Sequence, residues 1–289
     1  MIDVLVSQAV NGLVLGFLYV LVAVGLTIIF GLLGIVNFAH GAFFALGAYF
    51  AVTLQARFGW PAVILAPVVV GVIGMAVELL LIRRVYGKDP LISLIVTFAL
   101  ALLFQSLTRV IWGSAGLPFA APAFLAGVVE WGPVLITNYR VAVLVVTCSL
   151  LIALWAFLKY TPYGRILRAG SRDAEMVSLL GINLPRVLTG AFALGIVLAA
   201  AAGVLAAPLW TVKPAMSEDA VMPAFVTVAI GGLGSYAGAI IAGLAVGITT
   251  SLTIQFWPEA AAGAMYLLMA AILLARPRGL FGERWERFE

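Results

Sequence analysis

Residues 9–30 read AVNGLVLGFLYVLVAVGLTIIF, an apolar run without a charged residue. About 20 such residues, rising about 1.5 Å each as an α-helix, cross the ~30 Å hydrocarbon core of a bilayer. Working outward, further apolar blocks stand at 36–56, 61–82, 90–112, 139–158, 187–210, 222–234, 236–256 and 260–275. Hydrophobic residues make up 64% of the 289-residue chain and charged residues 10%, with mean hydropathy +1.19. Soluble domains carry about 25% charged residues. The expected fold is all-α: a polytopic membrane helix bundle of about 8–9 segments, a single transmembrane domain over 1–289. No soluble domain of useful size fits between the blocks.

The block at 222–234 is too short to span as a helix and is broken at Gly231, Gly232 and Gly234. It reads as a half-helix or a re-entrant segment, which survives at membrane depth only inside a bundle or beside a water-filled path. Small residues recur at four-residue spacing: Gly12 and Gly16; Ala199, Gly203 and Ala207; Ala239, Gly243 and Gly247. Such stripes let helix backbones approach closely.

The longest polar interlude is Gly164–Arg186, GRILRAGSRDAEMVSLLGINLPR. Ser171 and Asp173 can cap a short helix there, Asp173 and Glu175 suit its first turn, and Gly181 can end it. Met176, Val177, Leu179 and Leu180, with Ala174, give it an apolar surface, and Pro185 separates it from the next block. Cations follow the same division. With 160–186 inside, Arg83, Arg84, Lys88, Lys159, Arg165, Arg168, Arg172, Arg186 and the tail arginines 276, 278, 284 and 287 lie on one side. Only Arg57, Arg109, Arg140 and Lys213 lie on the other, the pattern of a positive-inside membrane protein. The loops at 113–138, with Pro118, Pro122, Trp131 and Pro133, and at 211–221 then fall outside, with Trp112, Trp131, Trp210 and Trp257 near outer span ends. The N-terminus, MIDVLVSQ, has no cation before the first span and reads as a retained helix.

The net charge of +4 is span-flanking, so nucleic acid is not the expected partner. No G-x-x-x-x-G-K-[ST] sequence is present to cradle nucleotide phosphates. One histidine and one cysteine, Cys148, exclude the usual zinc clusters and an intrachain disulfide. Glu78 is the only acid well inside an apolar block. It is either an interfacial carboxylate reaching Arg83 or Arg84, or a proton-coupling group without a deeper partner. Asn37 and His40, in GIVNFAHGAFFALGAY, imply a broken or tightly packed helix. They either hold freed backbone groups or line a solute path together with Gly41. The Gly231-Gly232-Leu233-Gly234 turn offers gating or close packing.

Four runs carry a family resemblance in order: NFAHGAFFALGAY at 37–49, DAEMVSLLGIN at 173–183, GGLGSYAGA at 231–239 and RPRGLFG at 276–282. Together they resemble the shorter permease of branched-chain amino-acid ABC importers. The resemblance implies a prokaryotic inner-membrane subunit, itself not an enzyme, with its C-terminus cytoplasmic. The implied partners are a second homologous permease, two cytoplasmic ATPase subunits and an extracytoplasmic solute-binding protein. No cofactor is implied for this chain; ATP and Mg belong to the ATPases. Asp173 to Gly181, preceded by Arg172, would match the coupling helix, although Arg172-Asp173-Ala174-Glu175 departs from the Glu-Ala-Ala wording of other importers. Related permeases for urea and short amides share these motifs. An ion-coupled carrier would instead require buried carboxylates, a passive channel would need no partner, and a purely structural membrane protein would need no broken helices.

Overall fold

The computed structural model of the protein describes residues 2–131 and 134–282. The expectations for Pro133, Arg284 and Arg287 lie outside the described residues. The chain runs through α1 (Ile2–Leu33), α2 (His40–Phe58), α3 (Ala62–Leu80) and α4 (Pro90–Trp112) to a hairpin of β1 (Val128–Trp131) and β2 (Val134–Thr137). There follow α5 (Asn138–Tyr160), α6 (Pro162–Arg172), α7 (Ala174–Leu179), α8 (Leu184–Ala206), α9 (Met216–Gly231), α10 (Tyr236–Phe256) and α11 (Ala261–Ala275). Among the described residues seven helices, α1, α3, α4, α5, α8, α10 and the stretch Pro258–Ala275 containing α11, are long and apolar enough to cross a membrane. The chain is an all-α polytopic bundle.

The core is built on α1 and α8, whose membrane-length windows are 72% and 67% buried, against 6% for the stretch containing α11. α1 packs along α10 and α8, and α8 packs on α2 and α3. The small-residue stripes lie in these seams. A Cβ on Gly12 would meet the Ile248 backbone, one on Gly247 the Gly16 backbone, and one on Gly203 the Phe44 carbonyl. Absent side chains bring the backbones together, and dispersion over the whole seam replaces the hydrophobic drive that lipid cannot supply. The outer faces of α3, α4 and α5 carry exposed residues such as Ile64, Ile95, Val110 and Ile152, as apolar surroundings permit.

Contacts between loops sort the bundle into two ends. At one end Leu117 and Val212 exchange backbone hydrogen bonds (2.8 and 3.2 Å), joining the loops expected outside. Trp60 meets Phe119 there, and the Trp112 indole N–H donates to Thr53. At the other end the Arg83 guanidinium reaches the start of α8, and the tail docks on α9 through Leu280 N–H to Ile230 O (2.8 Å) and Phe281 N–H to Gly231 O (3.0 Å). The loop at 113–138 is not wholly irregular. Its VVEW and VLIT, rich in β-branched residues, pair antiparallel, Val128 opposite Thr137, in a short hairpin.

Candidate functional site

The segment 160–186 is two helices in a tight zigzag. The Thr161 hydroxyl accepts from Gly164 N–H (3.0 Å) and Pro162 takes the first turn, where its missing N–H costs nothing. α6 then runs through Ser171, whose hydroxyl donates to the Arg168 carbonyl. Ser171 is therefore not the cap anticipated from sequence. Asp173 alone opens α7, accepting from Met176 N–H at 2.9 Å. Gly181, at φ +78°, closes it with its N–H on the Ser178 carbonyl. Asn183 caps α8 by accepting from Arg186 N–H at 3.3 Å.

The apolar residues of this segment divide. Val177 is buried against the body, whereas Met176, Leu179 and Leu180 stand exposed beside Glu175, Arg172 and Asp173. The helix thus grips the bundle by Val177 and presents Met176 and Leu179, with Leu180 just beyond its end. Behind it, the phenol of Tyr163 donates to the Val187 carbonyl (2.8 Å), tying α6 to α8, and burial pushes its pKa up.

The second group lies inside. Residues 34–39 double back, so that α2 begins beside the middle of α1 and His40 Nε2 meets the Val22 carbonyl at 3.0 Å. Asn37 and His40 are fully buried, and both polar atoms of the Asn37 amide and His40 Nδ1 have no protein partner. A Cβ on Gly41 would meet the Ser217 carbonyl of α9. At the far end of α9, Gly231 lies against the Gly238 backbone, Gly232 against Gly282, and Gly234 faces Gly31. The two sets do not form one cluster. Their neighbours Val36 and Leu233 line a common cavity of about 240 Å³ with Phe30, Met222, Phe225 and Met269. That cavity is almost wholly apolar and was not legible in the sequence, because its walls come from three helices far apart in the chain.

Glu78 has no exposed surface, and its carboxylate accepts a fork from Arg83 (3.2 and 3.3 Å) and the Tyr86 hydroxyl (2.7 Å). Burial, and next the hydrogen bond to Glu78, push the Tyr86 phenol well above its usual range. The Arg83 guanidinium also donates to Thr189 Oγ1 and the Pro185 carbonyl. Of the two roles open from sequence, this geometry is that of a paired, interfacial carboxylate. Among the described residues no group of three His, Cys, Asp or Glu is placed to hold a metal.

Residues 8–275 match the family described as branched-chain amino acid transport system / permease component. The chain is 32% identical over 296 aligned residues to the high-affinity branched-chain amino acid transport system permease protein LivH of Escherichia coli K12, covering 96% of this chain and 95% of that protein. It is 30% identical to the corresponding permease protein BraD of Pseudomonas aeruginosa, covering 96% and 95%. It is 27% identical to a probable LivH of Methanocaldococcus jannaschii, covering 94% and 91%. Among solved structures it is similar to PsaBC from Streptococcus pneumoniae in complex with Fab, with TM-score 0.51 and 17% identity over 92% of this chain and 89% of that one. That last likeness is one of fold alone. With the family's description matched across nearly the whole bundle, from within the first turns of α1 to the end of α11, this chain belongs to the branched-chain amino acid transport system permease family.

Proposed function

We propose that the chain is the transmembrane permease subunit of a binding-protein-dependent ABC importer for branched-chain, aliphatic amino acids. It forms half of the translocation path beside a second homologous permease, and performs no catalysis itself. Two cytoplasmic ATPase subunits supply the energy, and an extracytoplasmic solute-binding protein delivers the solute. The observation that carries this reading is family membership across residues 8–275, together with a capped, two-turn α7 that buries Val177 and presents Met176, Leu179 and Leu180. Arg172, Asp173, Ala174, Glu175 and Gly181 complete the coupling segment. Binding of ATP would move that helix, and the bundle would shift between states through its differential contacts. The basic end then faces the cytoplasm of a bacterial or archaeal cell, with the C-terminus on that side.

Asn37, His40, Gly41, Gly231, Gly232 and Gly234 flank the path at two levels of α9. An apolar cavity and unpartnered neutral polar atoms suit a zwitterion passing weakly held, with selectivity residing in the binding protein. The test is uptake of labelled leucine by proteoliposomes holding permeases, ATPases and binding protein. Uptake should require ATP and every partner. Leucine uptake by permease alone along a proton gradient would identify an ion-coupled carrier and overturn the proposal. ATP-driven uptake of urea but not leucine would retain the importer and replace its solute.

A further inference from the structure

A second cavity, of about 870 Å³, opens at the basic end between α1, α6 and the start of α10. Arg165, Arg168 and Arg172 all line it, and no carboxylate is among its lining residues. The three occupy positions i, i+3 and i+7 of α6, one face of the helix. Neither Arg165 nor Arg168 forms an ion pair among the described residues; Arg168 gives one N–H to the Lys159 carbonyl at 3.4 Å. Opposite them, Gly234, Ser235 and Tyr236 bring the N-terminus of the 21-residue α10 to the same space. The first N–H groups of a helix lack intrahelical acceptors and carry the positive end of its dipole. Thr27, 4% exposed, also lines the cavity, and its Oγ1 has no partner. Two guanidinium forks, a helix N-terminus of which Ser235 Oγ takes only the Gly238 N–H by side chain, and an unpartnered hydroxyl give one cavity a surplus of donors, with no carboxylate among the described residues that line it.

We propose that this cavity binds a phosphate-bearing anion, held by Arg165 and Arg168 and the N-terminus of α10. A phosphate offers several oxygens at once, which suits forks approaching from one side and backbone N–H groups from another. The remaining wall, Ile28, Leu32, Leu158 and Leu233, is apolar. The same phosphate chemistry is available from the headgroup of an anionic phospholipid or from free phosphate. The site is independent of which solute the permease carries.

The test is native mass spectrometry of the full-length chain in detergent, titrated with dioleoylphosphatidylglycerol and dioleoylphosphatidylcholine, with calorimetric titration of inorganic phosphate alongside. Phosphatidylglycerol should bind more tightly than phosphatidylcholine, and each of Arg165→Gln and Arg168→Gln should weaken it about fivefold, the usual share of one basic residue at a membrane surface. Arg57→Gln, at the opposite end, should change nothing. Arginine-dependent binding of inorganic phosphate without preference for phosphatidylglycerol would assign the site to the free ion. If either arginine variant does not purify, two measurements answer in its place: inorganic phosphate should displace phosphatidylglycerol from the wild type, and Thr27→Val should weaken phosphatidylglycerol binding. Equal binding of both lipids with no phosphate binding, or binding indifferent to Arg165 and Arg168, overturns the proposal.

Discussion

Glu78 shows how one charged residue is kept in an apolar span. A carboxylate out of water costs several kcal/mol unless its partners are well placed, and here a guanidinium fork and a phenol supply them. The same guanidinium bonds the first turns of α8, directly after the coupling segment. Arg83→Ala should therefore lower the thermal midpoint of the purified chain. The side chain keeps 36% of its surface, so the cost belongs at the low end of that for a broken buried pair, about 2–3 kcal/mol. Glu78→Gln keeps an acceptor for Tyr86 and should cost less. An unchanged midpoint in Arg83→Ala would show that the pair contributes nothing. Gly181 is a different case. A Cβ there meets no atom within 4 Å, but φ is +78°, so Gly181→Val strains only the backbone, by about 1–2 kcal/mol. We expect assembly of the complex to survive while ATP-driven uptake falls several-fold, with the exposed Glu175→Ala the milder change. Wild-type uptake by Gly181→Val would remove α7 from the coupling mechanism.

At the scale of elements, packing is decided by where side chains are missing. Gly247 lies on the Gly16 backbone in the seam of α1 and α10, whereas Gly263 of α11 has open space around it. Gly247→Leu should force the two helices apart, costing about 1–3 kcal/mol or more, and reduce the yield of monodisperse protein. Gly263→Leu should be tolerated. Equal yields would mean that the α1–α10 seam does not hold the bundle. Much at this scale was legible, because it is local chemistry: Asp173 and Gly181 punctuate α7, and the glycine stripes mark the seams. The break after α9 is equally local, with Gly232 at φ +95°. What was not legible depends on partners distant in sequence. Ser171 looks like a cap until α6 is seen to continue through it. Nothing near Val177 distinguishes it from Leu179, yet one is buried by the bundle and the other is not. The hairpin at 128–137 is carried by four residues on each side, too little to stand out in a long loop.

Over the whole molecule, hydropathy and charge give different information. Hydropathy shows which segments are apolar enough to cross, but not which of them touch, so the walls of both cavities were beyond reach. The return of residues 34–39 into the bundle, which sets His40 against Val22, has no signal in hydropathy either. Charge shows which loops share a side, and the contacts at the basic end carry that division into three dimensions. Arg83 reaches the start of α8 while the tail docks on the end of α9, so the cationic loops are joined to one another. The Leu117–Val212 bridge joins the loops at the other end in the same way. If the positive-inside rule governs insertion, sidedness follows for the whole bundle at once, and two reporter positions are enough to test it. Ser114 and Ser178 are exposed, one at each end. In a Cys148→Ser background, Ser114→Cys should react with a membrane-impermeant maleimide on intact cells. Ser178→Cys should react only after the membrane is opened. Labelling of Ser178→Cys from outside would invert the bundle and place α7 beyond the reach of any cytoplasmic ATPase.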